Sequence, residues 1–452
     1  MGLGLHGGAV GTVRFLSEAG AQVTVTEIKT KEEVVVSLEK LKDLKDIIYV
    51  FGQHRSEDFT EADMVVKNPA VPWTNKYVKM ALENNVPVEM DSSLFFKFCP
   101  NLIIGVTGTK GKTTTATLIF EILKTAGKNP LKVGVSQISV LDKLKELKKD
   151  TIVVFELSSW RLSAIGRMKM SPQIAVITNI YPDHLNYYKS FEDYVKDKKN
   201  ICLFQNKDNS CVISNDNAVL DGFSAEIRSR LIKFSKNKVE FGRGVYVDQG
   251  VIYSNDGIDE KKIMAVSEVG LRGEHNLENV LAASAAAVAA GADLASVRKT
   301  VMNFKGVAHR LELVRELDGV KYVNDSAATM PEAAISGINS FSEPVILIAG
   351  GADKNLEMGE LAKAICEKAK GIVFLKGAAT DKIMNEMKKY DGHLIERGFE
   401  VVETMAKAVE LARSAAENGD VILLSPGAAS FGLFKNEFDR GDKFKSAVKK
   451  LK

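Results

Sequence analysis

Cysteine is scarce in this sequence: Cys99, Cys202, Cys211 and Cys366 are the complete set in 452 residues. None forms a CxxC pair or falls at metal-ligand spacing, so a structural zinc module is excluded. Reduced thiols in a cytosolic protein fit the pattern, with disulfides left open. Long apolar runs are missing too. None reaches the roughly 18 residues that a membrane span requires, and no membrane partner is expected. The opening Met1-Gly2-Leu3-Gly4 has neither a basic segment nor an apolar signal core, and a cytoplasmic location is expected. Nor is there an excess of one charge. A net charge of +3 gives no electrostatic case for nucleic acid as a partner. The lysine-rich run 143–149 reads as a solvated face rather than a phosphate-binding stripe. Low-complexity segments and fixed-period repeats are also absent, which excludes solenoids.

What is present is a globular composition, 45% hydrophobic and 26% charged. At this length the chain exceeds one ordinary core, and three domains are expected. Short β-rich apolar runs alternate with helical stretches, the pattern of parallel sheets covered by helices; the fold class is α/β. A first region, 1–98, runs from a glycine-rich turn through a helix to a strand at 22–27, and ends where Pro100 breaks the pattern. A second, 99–305, has strands at 102–106, 151–157, 173–180 and 211–214. It closes with an alanine-rich helix over 279–290, stopped by Gly291. A third, 306–452, has strands at 320–324, 345–349, 372–375 and 421–424.

The strongest chemical signal is Gly105-Val106-Thr107-Gly108-Thr109-Lys110-Gly111-Lys112-Thr113-Thr114. An apolar strand precedes it and an amphipathic stretch follows, the context in which backbone N–H groups cradle phosphates at a helix N-terminus. Lys112 would reach the transferring phosphates and Thr113 would bind Mg²⁺, so ATP or a close relative is the expected ligand. Val106 departs from the pattern, standing where the first glycine usually is. A kinase or a simple NTPase fits this loop equally well. As written, residues 107–113 resemble the version found in Mur ligases and folylpolyglutamate synthases.

The neighbouring motifs decide between these. Glu156-Leu157-Ser158-Ser159 and Thr178-Asn179-Ile180-Tyr181-Pro182-Asp183-His184 each end an apolar strand, and strand C-termini in parallel sheets carry ligand groups. Both resemble the Mur ligase central domain, which implies Mg²⁺ ligation by Glu156 and His184 and a substrate contact at Ser158. Residues 194–201 resemble the family's Tyr-x-x-x-Lys-x-x-Ile stretch, whose lysine is carbamylated. The register implies Lys198, with Lys199 beside it as the alternative, and the carbamate would be a further metal ligand. Gly273-Glu274-His275-Asn276-Leu277-Glu278-Asn279 resembles the adenine-side motif, which implies Asn276 and Asn279. The bland alternative is a helix N-cap cluster. The ATP set implied is thus Gly108, Thr109, Lys110, Gly111, Lys112, Thr113, Thr114, Asn276, Asn279, Arg310 and Asp325.

The third region resembles the branch of the Mur ligases that adds D-glutamate. Gly306-Val307-Ala308-His309-Arg310 matches the entry to that domain, and Asn324-Asp325-Ser326-Ala327-Ala328-Thr329 its signature. Gly350-Gly351-Ala352-Asp353-Lys354-Asn355 and Ser425-Pro426-Gly427-Ala428-Ala429-Ser430-Phe431 match two further segments. A dicarboxylate needs two donor clusters, and the resemblance supplies Lys354 with Thr329 against Ser430, with Phe438 as a wall. It implies a Rossmann-like domain for the UDP group, a P-loop ATPase-type central sheet and a C-terminal Rossmann-like domain. It also implies ATP and Mg²⁺, with UDP-N-acetylmuramoyl-L-alanine and D-glutamate as partners, and a monomer. Three departures stand out. Ala327 replaces a lysine, Ser136 replaces an asparagine at a substrate-contact position, and Glu437-Phe438 inverts the usual order.

The first region supports a rival class. Gly2-Leu3-Gly4-Leu5-His6-Gly7 spells GxGxxG, with Glu27 about twenty residues on, the fingerprint of an NAD-dependent oxidoreductase. The resemblance instead assigns Glu27, Lys29, Thr30 and Asn68 to the UDP-substrate. A nucleotide-binding switch without catalysis is a third reading. No strand precedes this glycine turn, so a short apolar strand of roughly five to six residues is expected to be encoded upstream of Met1.

Overall fold

The computed structural model describes residues 1–4, 8–135, 139–183, 187–238, 242–271, 273–353, 356–390 and 400–452, without the His275 side chain. It divides between Phe304 and Lys305 into two compact units, Met1–Phe304 and Lys305–Lys452.

In the first unit, β1 (Thr24–Glu27) pairs in parallel with β2 (Ile48–Phe51), and β3 (Val65–Val66) with β4 (Val88–Glu89). The backbone of Met1 and Gly2 lies between these two small sheets: Gly2 N donates to Thr26 O at 2.9 Å, and the Met1 ammonium to Val66 O at 2.9 Å. The helix Gly8–Glu18 covers β1, burying Val10 and Val13 against Val25. It also meets the rest of the unit, through the Phe15–Phe98 ring contact at 5.7 Å.

The larger sheet has nine strands: β5 (Leu102–Thr107), β6 (Asn129–Val133), β7 (Thr151–Glu156), β8 (Ile174–Ile177), β9 (Ser210–Ser214), β10 (Arg230–Ser235), β11 (Arg243–Asp248), β12 (Val251–Asp256) and β13 (Glu260–Ala265). Their order is β13-β12-β11-β10-β9-β8-β5-β7-β6, parallel except at the β11–β12 and β12–β13 pairs. Alternation along the strands feeds two cores. Ile104, Val106 and Val154 face the helices Lys112–Thr125 and Glu274–Ala289, whereas Ile103, Val153 and Phe155 face Ser159–Arg167 and Phe191–Leu203. Ala282, Ala283, Ala285, Ala286 and Ala287 are all buried, so the alanine-rich helix has little polar face to show and packs closely. Gly291, at φ +86°, lies just beyond its C-cap.

After β5 the chain builds β6 and β7 on one side of it, then β8 and β9 on the other. The C-terminal end of β5 is therefore a topological switch point, where a crevice opens between diverging connections.

The second unit is a six-stranded sheet of order β14-β15-β19-β16-β17-β18, comprising β14 (Glu312–Leu317), β15 (Val320–Asn324), β16 (Val345–Gly350), β17 (Ala369–Leu375), β18 (Glu400–Val402) and β19 (Val421–Leu424). Only β14 runs antiparallel to its neighbour. Expected strands recur with shifted ends: the one at 173–180 spans Ile174–Ile177, beyond which the Thr178 and Asn179 side chains bond the loop that follows β5. The edge strands β14 and β18 were not expected.

Candidate ATP and ligase site

The chain leaves β5 at Thr107 and enters the helix Lys112–Thr125 at the switch point. Gly111 is left-handed, at φ +82°, and a Cβ there would overlap Asn279 Oδ1; at Gly108, φ +152°, it would overlap Thr178 Oγ1. Only glycine fits both requirements. Val106, at the position where such loops usually have their first glycine, is a fully buried residue of β5. The loop is stitched to the end of β8: Thr109 N donates to Asn179 O at 2.9 Å, Lys110 N to Asn179 Oδ1 at 2.9 Å, and Thr178 Oγ1 to Lys110 O at 2.6 Å. Lys112 Nζ curls back onto Gly108 O and Thr109 O at 3.0 and 2.9 Å. The first helical turn brings buried Thr113 and half-buried Thr114 to the loop, with its N–H groups available to phosphate.

Glu156 ends β7 and is the register partner of Val106, at the root of the loop. Its Oε2 is buried with no hydrogen-bond partner among the described residues. Such a carboxylate oxygen is costly unless something binds it. Two residues on, Ser158 caps the next helix, accepting from Arg161 N at 3.3 Å.

Lys198 is 2% exposed, sits 4.7 Å above the Tyr194 ring and donates to Gly108 O at 2.8 Å. Burial first, then the Lys112 charge, hold its amine well below the usual lysine range, against the pull of Asp183 and Asp197. Lys199 points elsewhere: it pairs with Glu226 and lies over Phe223 at 5.3 Å. Asn279 is buried and accepts from Thr115 Oγ1 at 3.3 Å; it also donates to Asn276 Oδ1 at 3.4 Å, so the amide pair buttresses the loop from below. Ser136, His184 and Lys354 lie outside the described residues, as do Leu5, His6 and Gly7 of the first glycine motif.

Mg²⁺ can be held by one or two carboxylates plus substrate phosphates, keeping several waters. Among the described residues no three His, Cys, Asp or Glu side chains gather at one point. The orphaned Glu156 oxygen, at the end of the strand paired with β5 where the loop begins, nevertheless fits this sparse kind of site.

In the first region, Glu27 is buried and accepts from Gly4 N and from Lys29 N, each at 3.1 Å, while Lys29 and Thr30 are exposed beyond it. Asn68 Nδ2 donates to Gly2 O at 3.3 Å, and Asn68 Oδ1 accepts from Ala70 N at 3.0 Å. Neighbouring Lys67 is buried, and desolvation, then Arg167, push its amine down to about 7.

In the second unit, three segments singled out in the sequence converge at strand ends. Gly427 N donates to Ala328 O at 2.9 Å, and Ala352 and Ala429 exchange backbone hydrogen bonds at 3.0 and 3.1 Å. Ser430 is buried and Thr329 half-buried in this cluster, and Phe438, 41% exposed, meets His309 edge-on. Asp325 is buried and accepts from Ser425 Oγ at 2.8 Å; desolvation pushes its carboxyl up to about 6. Arg310 is exposed, between two left-handed residues, His309 and Leu311. Sequence reasoning gave no role to Arg440, yet this fully buried guanidinium bonds Ser326 Oγ, Ser326 O and Ala428 O at 3.0, 2.9 and 3.1 Å. A signal was available: Phe444 and Val448 follow at i+4 and i+8, which puts position 440 on the buried face of the terminal helix.

This phosphate loop at a switch point, followed by a second α/β unit, matches known family models along most of the chain. The Mur ligase MurD-like N-terminal domain matches residues 1–89, the Mur ligase middle domain 106–287, and the Mur ligase glutamate ligase domain 309–427. The chain belongs to the Mur ligase family. Among its relatives are enzymes named UDP-N-acetylmuramoylalanine--D-glutamate ligase. That of Roseiflexus sp. (strain RS-1) is 40% identical, over 99% of this chain and 97% of the relative. Those of Clostridium tetani and Geobacillus kaustophilus are each 38% identical, over 97% and 100% of this chain and 94% and 97% of theirs. Solved structures share the fold. UDP-N-acetylmuramate-alanine ligase MurC of Thermotoga maritima superposes at TM-score 0.54 with 20% identity, covering 100% of this chain and 98% of its own. A pseudomurein peptide ligase type C from Methanothermus fervidus reaches 0.53 with 18% identity, covering 99% and 98%. The α/β three-domain architecture is thus the family's, and the GxGxxG turn belongs to a Mur N-terminal domain rather than to an oxidoreductase. All four cysteines are free thiols. Among the described residues no helix is long and apolar enough to cross a membrane.

Proposed function

We propose that this chain is an ATP-dependent ligase that joins D-glutamate to UDP-N-acetylmuramoyl-L-alanine through an acyl phosphate. The observation that carries the proposal is the phosphate loop at the β5 switch point, with a buried lysine and an orphaned carboxylate oxygen beside it. The full-length relationship to enzymes named for this reaction supports the choice of substrates. In this reading residues 1–98 bind the UDP group through Glu27, Lys29, Thr30 and Asn68, with Ser136 and Ser158 nearer the reacting end. Residues 99–305 hold ATP, with Asn276 and Asn279 on the adenine side. Residues 306–452 hold glutamate through Thr329, Lys354, Ser430 and Phe438, and Arg310 and Asp325 are assigned to ATP. The enzyme works as a monomer in the cytoplasm.

The alanyl carboxylate attacks the γ-phosphorus and ADP leaves. The glutamate amine then attacks the acyl carbon, and the tetrahedral intermediate expels phosphate to leave the amide. Lys112 exchanges the Gly108 and Thr109 carbonyls for the transferring phosphoryl group, offsetting its charge. Thr113, Glu156, His184 and carbamylated Lys198 would hold Mg²⁺, which when bound polarises the phosphates and neutralises developing charge. A depressed lysine pKa favours the carbamate, because only the neutral amine adds to CO₂, losing a proton as it does so. Shielding from water protects the acyl phosphate.

The test is phosphate release with ATP, UDP-N-acetylmuramoyl-L-alanine and a panel of D- and L-amino acids. D-Glutamate is expected to give the fastest release. Faster release with L-alanine, a diamino acid or a folate acceptor would refute the substrate assignment and leave only the family.

A further inference from the structure

Residues 67–73 form a strap held at both ends. At one end Asn68 bonds Gly2 O, so the strap follows the first glycine turn. At the other end the Trp73 indole docks on the helix Ser159–Arg167, where its Nε1–H donates to Ser163 Oγ at 2.7 Å. Arg167 of that helix stacks on the indole at 4.0 Å, and buried Lys67 approaches the same ring at 4.3 Å from within the strap. The Arg167 cation is attracted to the indole π-cloud, and the Lys67 amine, which also donates to Val71 O at 2.8 Å, lies against the same ring, so the indole bridges the strap and the helix. The helix it grips starts directly after Ser158, two residues beyond Glu156. The strap on the glycine-turn side is thereby wired to the helix whose first turn borders the phosphate loop.

We propose that Trp73 is a positioning residue: it transmits occupancy of the UDP-side strap to the helix Ser159–Arg167, and so aligns the substrate carboxylate for phosphorylation. This rests on the assignment of the strap to the UDP-substrate made above. Trp73 touches no reacting atom in this scheme and acts through Ser158 and its helix.

The experiment compares Trp73→Leu, Trp73→Phe and Ser163→Ala with the unaltered enzyme in steady-state kinetics, at a temperature below every melting midpoint. Trp73→Leu removes the stacking and the hydrogen bond. It should raise KM for UDP-N-acetylmuramoyl-L-alanine and lower kcat, each roughly tenfold, with KM for ATP unchanged. Trp73→Phe keeps a ring for Arg167 and Lys67 and should recover part of both losses; Ser163→Ala should show a smaller loss of the same kind. Unchanged parameters would overturn the proposal. So would a higher KM with normal kcat, which makes the indole a pocket wall only. A fall in kcat with no change in KM for the UDP-substrate, or an equal worsening of KM for ATP, would reduce Trp73 to general stability and also reject it. If the unaltered enzyme does not turn over this substrate, it is the functional assignment that fails.

Discussion

Lys112 and Lys198 meet at one carbonyl, Gly108 O, and that shared acceptor explains much of the site's chemistry. Two ammonium groups cannot both stay charged cheaply beside one buried oxygen, and the more buried one yields. Lys112→Ala is expected to cut turnover by on the order of 10²–10³ with the fold intact, the usual loss for a transition-state contact of this kind. Near-normal phosphate release from that variant would exclude the loop as the ATP site. Lys198→Ala should be inactive, with partial recovery in a short carboxylic acid, and the unaltered enzyme should lose activity when CO₂ is stripped and regain it with bicarbonate. Full activity alongside an unmodified lysine by mass spectrometry would reject the carbamate. Asp325 allows a test by pH. Its folded pKa, about 6, lies above the ordinary value of 3.8, so the folded state prefers the protonated form. The cost of burying the charge therefore grows as pH rises from about 4 to about 6 and stays constant above that. Asp325→Asn should gain thermal stability over the unaltered protein across this window while losing activity. A melting-temperature difference that is flat from pH 4 to pH 8 would contradict it.

The elements that could be read in advance are those whose two faces are both buried or whose ends are punctuated. The β5–loop–helix unit announces itself by an apolar strand, two obligatory glycines and a helix start, and Pro100 marks the break before it. The partly exposed edge strands β14 and β18 escaped notice, since β14 carries Glu312, Arg315 and Glu316 and β18 is three residues long. The β12–β13 pair escaped for the same reason, as Glu260, Lys261 and Lys262 lack an apolar alternation. Polar groups at strand ends, such as Glu156 and Asp325, could be singled out in advance because a motif surrounds each of them. Long-range partners could not: nothing in the local pattern says that Asn279 packs under Gly111, or that Arg440 ties Ser326 to Ala428. Gly111→Ala tests that hidden contact. It must carry both the left-handed strain, about 1–2 kcal/mol, and the overlap with Asn279. ATP binding by calorimetry should be lost. Gly20→Ala, at a similar φ of +84° but in open space, should bind ATP normally. Equal behaviour of the two variants would show that the Asn279 contact is immaterial.

At the scale of the whole molecule, each unit has its own cores, and the N-terminal region of the first adds two smaller ones around Val25 and Phe59. In Met1–Phe304 two apolar clusters lie on either side of the nine-stranded sheet, and in Lys305–Lys452 two others flank the six-stranded one. Chains built this way commonly melt in more than one step, because each core can be lost without the other. The phosphate loop, its Asn179 and Asn279 supports, Glu156 and Lys198 all belong to the larger unit. A nucleotide bound there stabilises that unit by RT ln(1 + [L]/Kd), about 2.7 kcal/mol at a concentration 100 times Kd. Scanning calorimetry with MgADP, which cannot complete the reaction, should therefore move one transition upward by a few degrees and leave the other where it was. Lys112→Ala should abolish most of that shift without altering either transition in the absence of nucleotide. A single transition that moves as a whole would mean that the two units unfold together, and a shift confined to the smaller transition would put the nucleotide in the wrong unit.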